Sequence, residues 1–158
     1  MKKKHNSQLK VIDAFKEQGI EIEIFNLDVS TKTSQEAADA VNCDIKQIAK
    51  SIVFFERIQN KLVQIFVSGP NRVNLKSFEN QTNLTIEKAD ADYVRESTGF
   101  AIWGVAPLGH KNKTLYFFDK TLVEFDEVWC AAATPSSLFK LETKDLLKVT
   151  EAEILNII

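Results

Sequence analysis

Leu9, Ile12 and Phe15 recur every three residues between Ser7 and Gln18, the spacing of one face of a helix. Gly19 follows where a left-handed cap ends a helix. Ile20-Glu21-Ile22-Glu23-Ile24 alternates strictly, which predicts a strand with one wet face. Asp28 to Lys32 reads as polar linker. Thr33-Ser34-Gln35-Glu36 has the form of a capping box ahead of Ala37, Ala38 and Val41. Asp44-Ile45-Lys46-Gln47 repeats that logic and predicts a short helix that gives way around Lys50.

Ser51 to Phe55 is β-branched and aromatic, hence a strand. Gln59-Asn60-Lys61 turns the chain, and Leu62 to Val67 returns as the partner strand. Ser68-Gly69-Pro70-Asn71 breaks it, and Asn74 can cap a short helix over Leu75 to Phe78. Leu84-Thr85-Ile86 is a weak strand, and Asp90 to Glu96 a helix closed at Gly99. Thr114 to Phe118, Glu127 to Ala133 and Ser137 to Leu141 read as further strands. Thr143 is expected to cap a helix through Leu147, and Thr150-Glu151-Ala152-Glu153 is one more capping box. Strands with short helices between them predict an α+β fold: a single domain with a mixed, curved, partly closed β-sheet flanked by short helices.

Composition narrows the function. A chain of 158 residues predicts one domain spanning 1–158. Its net charge of -2 excludes a bulk polyanion binder, so any nucleic-acid contact has to come from a local basic patch. Cys43 and Cys130 form neither a disulfide framework nor a zinc motif. No apolar run approaches the roughly 20 residues of a membrane span, so no membrane partner is expected. Residues 1–6 are expected to form a flexible basic tail. No apolar segment follows them, unlike a secretory signal, and the expected compartment is cytoplasmic.

The run from Ser97 to His110 holds three of the five glycines, Gly99, Gly104 and Gly109, and one of the three prolines, Pro107. Glycine admits positive φ and close approach, and proline fixes φ without an N–H. Gly104 to His110 therefore reads either as a shaped loop with bare amides that wraps a small polar group, or as an ordinary connection. Lys50 is either a fixed cation facing a phosphate or reacting ester, or a strand-end lysine reaching water. Arg72 is either a phosphate fork or half of a surface ion pair. His110 is either a general base or a brace for the loop. Trp103 is the better candidate of the two tryptophans for a pocket wall. Cys130 reads as core and Cys43 as a weak candidate nucleophile.

Thr33-Ser34-Gln35-Glu36-Ala37-Ala38, Gln47 to Phe54, Gly69-Pro70-Asn71-Arg72-Val73, Ser97-Thr98-Gly99-Phe100, Gly104 to His110 and Val128 to Ala132 occur in that order. Together they resemble the YbaK-like, prolyl-tRNA-synthetase-associated editing domain family, from the first helix to Leu147. The resemblance implies a trans-acting aminoacyl-tRNA deacylase that hydrolyses the ester of a mischarged tRNA. It implies Lys50 as the essential lysine. It also implies a substrate-binding loop from Gly104 to His110, with Ser97, Gly99, Trp103, Val105, Pro107, Gly109 and Arg72 among the substrate contacts. It implies no metal or other cofactor. The implied partners are the acceptor end of the tRNA and a synthetase that could deliver it. Three positions depart from the family pattern. Trp103-Gly104 stands where Gly-Gly is usual, Ala132-Ala133 where Ala-Gly is usual, and Ser51 where members specific for alanine tend to have Asn. A catalytically silent tRNA- or synthetase-binding module and a thiol hydrolase using Cys43 are the rival readings.

Overall fold

A computed structural model describes residues 6–158, so the expected tail, apart from Asn6, lies outside the described residues. Helix α1 (Asn6–Glu17) buries Gln8, Val11 and Phe15. That stripe is rotated from the one the spacing predicts, because Leu9 is left exposed. Gly19 has φ +79° and reverses the chain. The alternating isoleucines at 20, 22 and 24 form no strand; only Phe25–Asn26 pairs, as β1. Ile20, Ile22 and Ile24 instead rest partly buried on the core.

Helix α2 (Ser34–Val41) starts at Thr33, whose hydroxyl accepts from the Glu36 N–H at 3.1 Å. The capping box at Asp44 opens a single 3₁₀ turn, Ile45–Gln47. Strand β2 (Ile48–Glu56) follows at once, so Lys50 lies inside a strand rather than at its entry. Next come β3 (Lys61–Ser68), α3 (Leu75–Thr82), β4 (Ile86–Lys88) and α4 (Ala91–Thr98). Asn74 and Asp90 cap the two helices, accepting from Ser77 N and Tyr93 N. The chain ends with β5 (Thr114–Asp119), β6 (Glu127–Ala131), β7 (Ser137–Glu142), α5 (Thr143–Thr150) and β8 (Glu153–Leu155).

Two readings fail at this end. Thr143 is the first residue of α5, not its cap, and its hydroxyl donates to the Phe125 carbonyl. The capping box at Thr150 opens no helix; the Thr150 hydroxyl donates back to Leu146 O at 2.7 Å, and the residues after it pair with β5.

The sheet is mixed and not closed, in the order β1-β7-β6-β2-β3-β5-β8. Strand β3 is buried at every residue after Lys61, as a central strand covered on both faces must be. One face carries Val11 of α1, Val94 of α4 and Leu146 of α5 over Phe66 and Phe118. The other carries Phe78 of α3, edge-on to Phe117 at 4.8 Å. None of the helices among the described residues is long and apolar enough to cross a membrane.

One irregularity positions the site. On the side of β2 away from β3, β6 pairs only with Ile48 and Ala49, and β4 only with Phe54 to Glu56. Between them the edge of β2 is left open.

Candidate active site

A cavity of about 650 Å³ fills that opening. Its walls are Ile48 to Phe54 of β2, Thr31 to Ser34 before and in α2, Arg72, Val73 and Leu75 before and at the start of α3, and Ile102, Trp103 and Val105. Lys32, Lys50, Arg72 and Lys88 line it, and no Asp or Glu does. Most of the remaining lining is aliphatic or aromatic. Such a cleft suits a ligand with an anionic end and an apolar body.

Lys50 is half-buried. Its Nζ donates to Asn71 O at 2.8 Å and to Gly69 O at 3.2 Å. An ammonium has three N–H groups, so one is left over. Burial pushes its pKa below 10.5, the Arg72 and Lys88 charges push the same way, and Asp119 opposes them. The turn that supplies both carbonyls is itself fixed. Fully buried Asp119 accepts from Ser68 N at 3.0 Å and from Asn71 Nδ2 at 2.9 Å. A side chain at Gly69 would run into the carbonyl of Ile45. Sequence reasoning missed Asp119 and the accepting carbonyls. The Gly69-Pro70-Asn71 break was the available signal.

The glycine loop divides in two. Its first half faces the cavity: Trp103 stands on the rim, 54% exposed, while Val105 is buried. Gly104 is pinned between them. Its N–H donates to Ala101 O at 2.8 Å, and a Cβ there would sit 2.7 Å from Thr134 N. The second half is a brace and does not line the cavity. Gly109, at φ +90°, leaves 3.3 Å between a hypothetical Cβ and the Lys10 carbonyl of α1. Tyr116 donates its hydroxyl to Pro107 O at 2.6 Å.

His110 Nε2 lies 2.6 Å from Ala106 O, and Nδ1 lies 2.7 Å from the Thr114 hydroxyl. A carbonyl only accepts, so Nε2 carries the hydrogen and Nδ1 accepts from Thr114. Burial pushes the imidazole down to about 4, with the Ala106 bond opposing. Ser97 is buried, and its carbonyl takes the Asn112 N–H at 3.0 Å. Gly99 is the left-handed cap of α4 at φ +84°. Of the ten residues named from sequence, Lys50, Arg72, Trp103 and Val105 therefore line one cavity. Ser97, Gly99, Gly104, Pro107, Gly109 and His110 shape the loop behind it.

Cys43 is not in the cavity wall. Burial and the Asp44 charge push its thiol up, away from the thiolate a nucleophile needs. Cys130 is fully buried and pushed up to about 12 by burial. No group of three His, Cys, Asp or Glu side chains placed to hold a metal occurs among the described residues.

Comparison with known proteins gives the class to which this open mixed sheet belongs. Residues 28–149 match the family model of the aminoacyl-tRNA editing domain, and the protein belongs to that family. It is 35% identical to a crystal structure described as "a putative trans-editing enzyme for prolyl tRNA synthetase", with TM-score 0.91 and 98% of each chain covered. The "Uncharacterized protein YwhH" of Bacillus subtilis (strain 168) is 23% identical over 134 residues, 85% of either chain. The "hypothetical protein APE2540" shares the fold, with TM-score 0.83 at 21% identity over 92% of this chain and 96% of its own.

Proposed function

We propose that the protein is a trans-acting aminoacyl-tRNA deacylase, which frees a wrongly attached amino acid from the 3′ end of a tRNA. The observation that carries this reading is the half-buried Lys50 ammonium, held by main-chain carbonyls in the wall of a cavity with no carboxylate. A phosphate or a polarised ester is the partner such a cation lacks. Arg72, Lys32 and Lys88 extend the positive field to the rim for the phosphates of the acceptor end.

Water adds to the ester carbonyl, the tetrahedral oxyanion collapses, and the bond to the terminal ribose oxygen breaks. Main-chain N–H groups stabilise such an oxyanion by about 3 kcal/mol each when preorganised. Gly104 N–H is already bound to Ala101 O. Val105 N–H meets no acceptor among the described residues, so it is the better donor of the two. His110 has both nitrogens engaged away from the cavity. Water activation then falls to the substrate's own vicinal hydroxyl or amine.

The net charge of -2 implies a weak unaided grip on tRNA, so a synthetase that hands over the acceptor end fits as partner. This reading implies translation quality control in the cytoplasm. The test is deacylation of a panel of mischarged tRNAs by the protein, Lys50→Ala and Cys43→Ser. Turnover lost with Lys50→Ala and kept with Cys43→Ser is the expected result. Binding of the panel without turnover by the unaltered protein would overturn it in favour of a silent binding module. Loss with Cys43→Ser would favour the thiol hydrolase.

A further inference from the structure

One residue interrupts the apolar run of β3. Gln64 stands among Leu62, Val63, Ile65, Phe66 and Val67, and its side chain is fully buried. Its Nε2 donates to the Ser51 hydroxyl at 2.9 Å. Its Oε1 is the one buried side-chain nitrogen or oxygen without a protein partner among the described residues. A half-satisfied amide in a core is costly, whereas a leucine of similar size carries no such penalty. Core packing therefore does not account for Gln64.

What Gln64 holds is the residue at the opening of the sheet. Ser51 lies in the stretch of β2 that neither β6 nor β4 covers. In an antiparallel pair, the N–H and C=O of one residue point to the same side, and the side alternates along the strand. Val53 turns its carbonyl toward β4, where Ala89 N–H donates to it at 3.2 Å. Ser51, two residues earlier, turns its N–H and C=O the same way, into the cavity it lines. No carboxylate lines that cavity, so an ammonium entering it has to be met by neutral oxygens. Because Gln64 donates to the Ser51 oxygen, the hydrogen of that hydroxyl is left for another acceptor.

We propose that Ser51, held by Gln64 at the open edge of β2, is the subsite for the α-amino group of the esterified amino acid. The Ser51 carbonyl accepts from the ammonium, and the hydroxyl donates to the adjacent acyl oxygen. An amine held as ammonium has no lone pair to take a proton, so water activation then falls to the vicinal hydroxyl alone. Gln64 is a positioning residue that acts through Ser51. This deepens the deacylase reading and rests on it.

The test uses two non-hydrolysable probes, 3′-(L-alanylamino)-3′-deoxyadenosine and its N-acetyl form, titrated into ¹⁵N-labelled protein. The free amine is expected to bind at least tenfold more tightly than the acetylated probe. It should also shift the Ser51 main-chain amide and the Gln64 side-chain amide. Gln64→Leu is expected to keep or raise Tm and to reduce the tenfold ratio to less than threefold. The subsite is overturned by equal affinity for the two probes, by no binding of either, or by Ser51 and Gln64 signals that stay still while others move. Those readouts need only the unaltered protein. A full ratio retained by folded Gln64→Leu removes Gln64 from the proposal. Discrimination between the probes with no ester hydrolysed in the tRNA panel would leave the amino-group subsite standing and overturn the deacylase reading.

Discussion

The ammonium of Lys50 sits 2.8 Å from the carbonyl oxygen of Asn71, whose own side chain is tied at 2.9 Å to buried Asp119. The cation is thus placed by a turn, and the turn by a carboxylate from the neighbouring strand. The charge is held where folding alone would not hold it, because burial pushes its pKa below 10.5. A base with a lowered pKa binds fewer protons in the native state than in the unfolded chain. Its contribution to stability is therefore full above 10.5 and is lost as pH falls through the lower, folded value. Lys50→Met removes that penalty. At pH 7 its Tm is expected to equal or exceed that of the unaltered protein, while single-turnover deacylation falls by about 10²–10³-fold. A thermal melt beside a rate measurement separates the two effects.

Asp119 is the support that can be tested independently. Its partners Ser68 N, Asn71 Nδ2 and Thr121 N all donate. Asn in its place offers one acceptor oxygen instead of two. Bonds to a buried charge contribute about 1.5–3 kcal/mol. For a domain of this size, each kcal/mol is about 2–4 °C. Asp119→Asn is expected to lower Tm by about 5–10 °C and to lower kcat more than it raises KM. A loss confined to Tm would show that the turn holds Lys50 without it.

How much of this was legible in the sequence depends on range. Thr33, Asp44 and Asn74 cap their helices as their spacing predicts, because a cap is decided within four residues. The alternation at Ile20, Ile22 and Ile24 reports burial correctly but not pairing: these residues rest on the core, and only Phe25 and Asn26 pair with β7. The motif-borne positions Lys50, Arg72, Trp103 and Val105 meet in one cavity. Asp119 and Gln64 were invisible, since one acts on Ser68 from 51 positions away and the other on Ser51 across a strand pair.

Gly104 shows the same limit at another point. Its need for glycine comes from Ala133 and Thr134, whose backbone atoms would lie 2.7–2.9 Å from an added Cβ. That turn is already strained, because Ala133 sits at φ +77°, where a Cβ costs about 1–2 kcal/mol. Gly104→Ala is expected to cost about 1–3 kcal/mol. It should also displace Val105, and so lower kcat on every substrate. Adding Ala133→Gly frees the turn to move, and the double variant is expected to recover part of the lost Tm. Strict additivity in that cycle would mean that the two residues do not press on each other.

His110 gives the pH dependence its sign. Its folded pKa, about 4, lies below the ordinary 6.5. The native state therefore binds fewer protons between those values, and stability is full above pH 6.5 and lost as pH falls toward 4. The gap corresponds to about 3 kcal/mol. His110→Gln is expected to flatten that part of the stability curve in urea melts at pH 4, 5.5 and 7. Because the imidazole does not line the cavity, the pH–rate profile of the unaltered protein is expected to show no His110 break near 6.5.

Arg72 is exposed and lines the cavity beside Lys50. Its expected partner is a phosphate of the single-stranded acceptor end, so its contribution is electrostatic and blind to the amino acid. Each phosphate contact to a single strand contributes about 0.7 to the slope of log affinity against log salt. Arg72→Ala is expected to reduce that slope by about this amount and to raise KM by a similar factor for every member of the panel, with kcat little changed. Trp103→Ala makes the contrast. The ring is 54% exposed on the rim, so Tm should hold while the ranking of amino acids shifts. If Arg72→Ala changed the ranking instead, the guanidinium would be reading the amino acid, and the phosphate end of the site would have to be sought at Lys32 and Lys88.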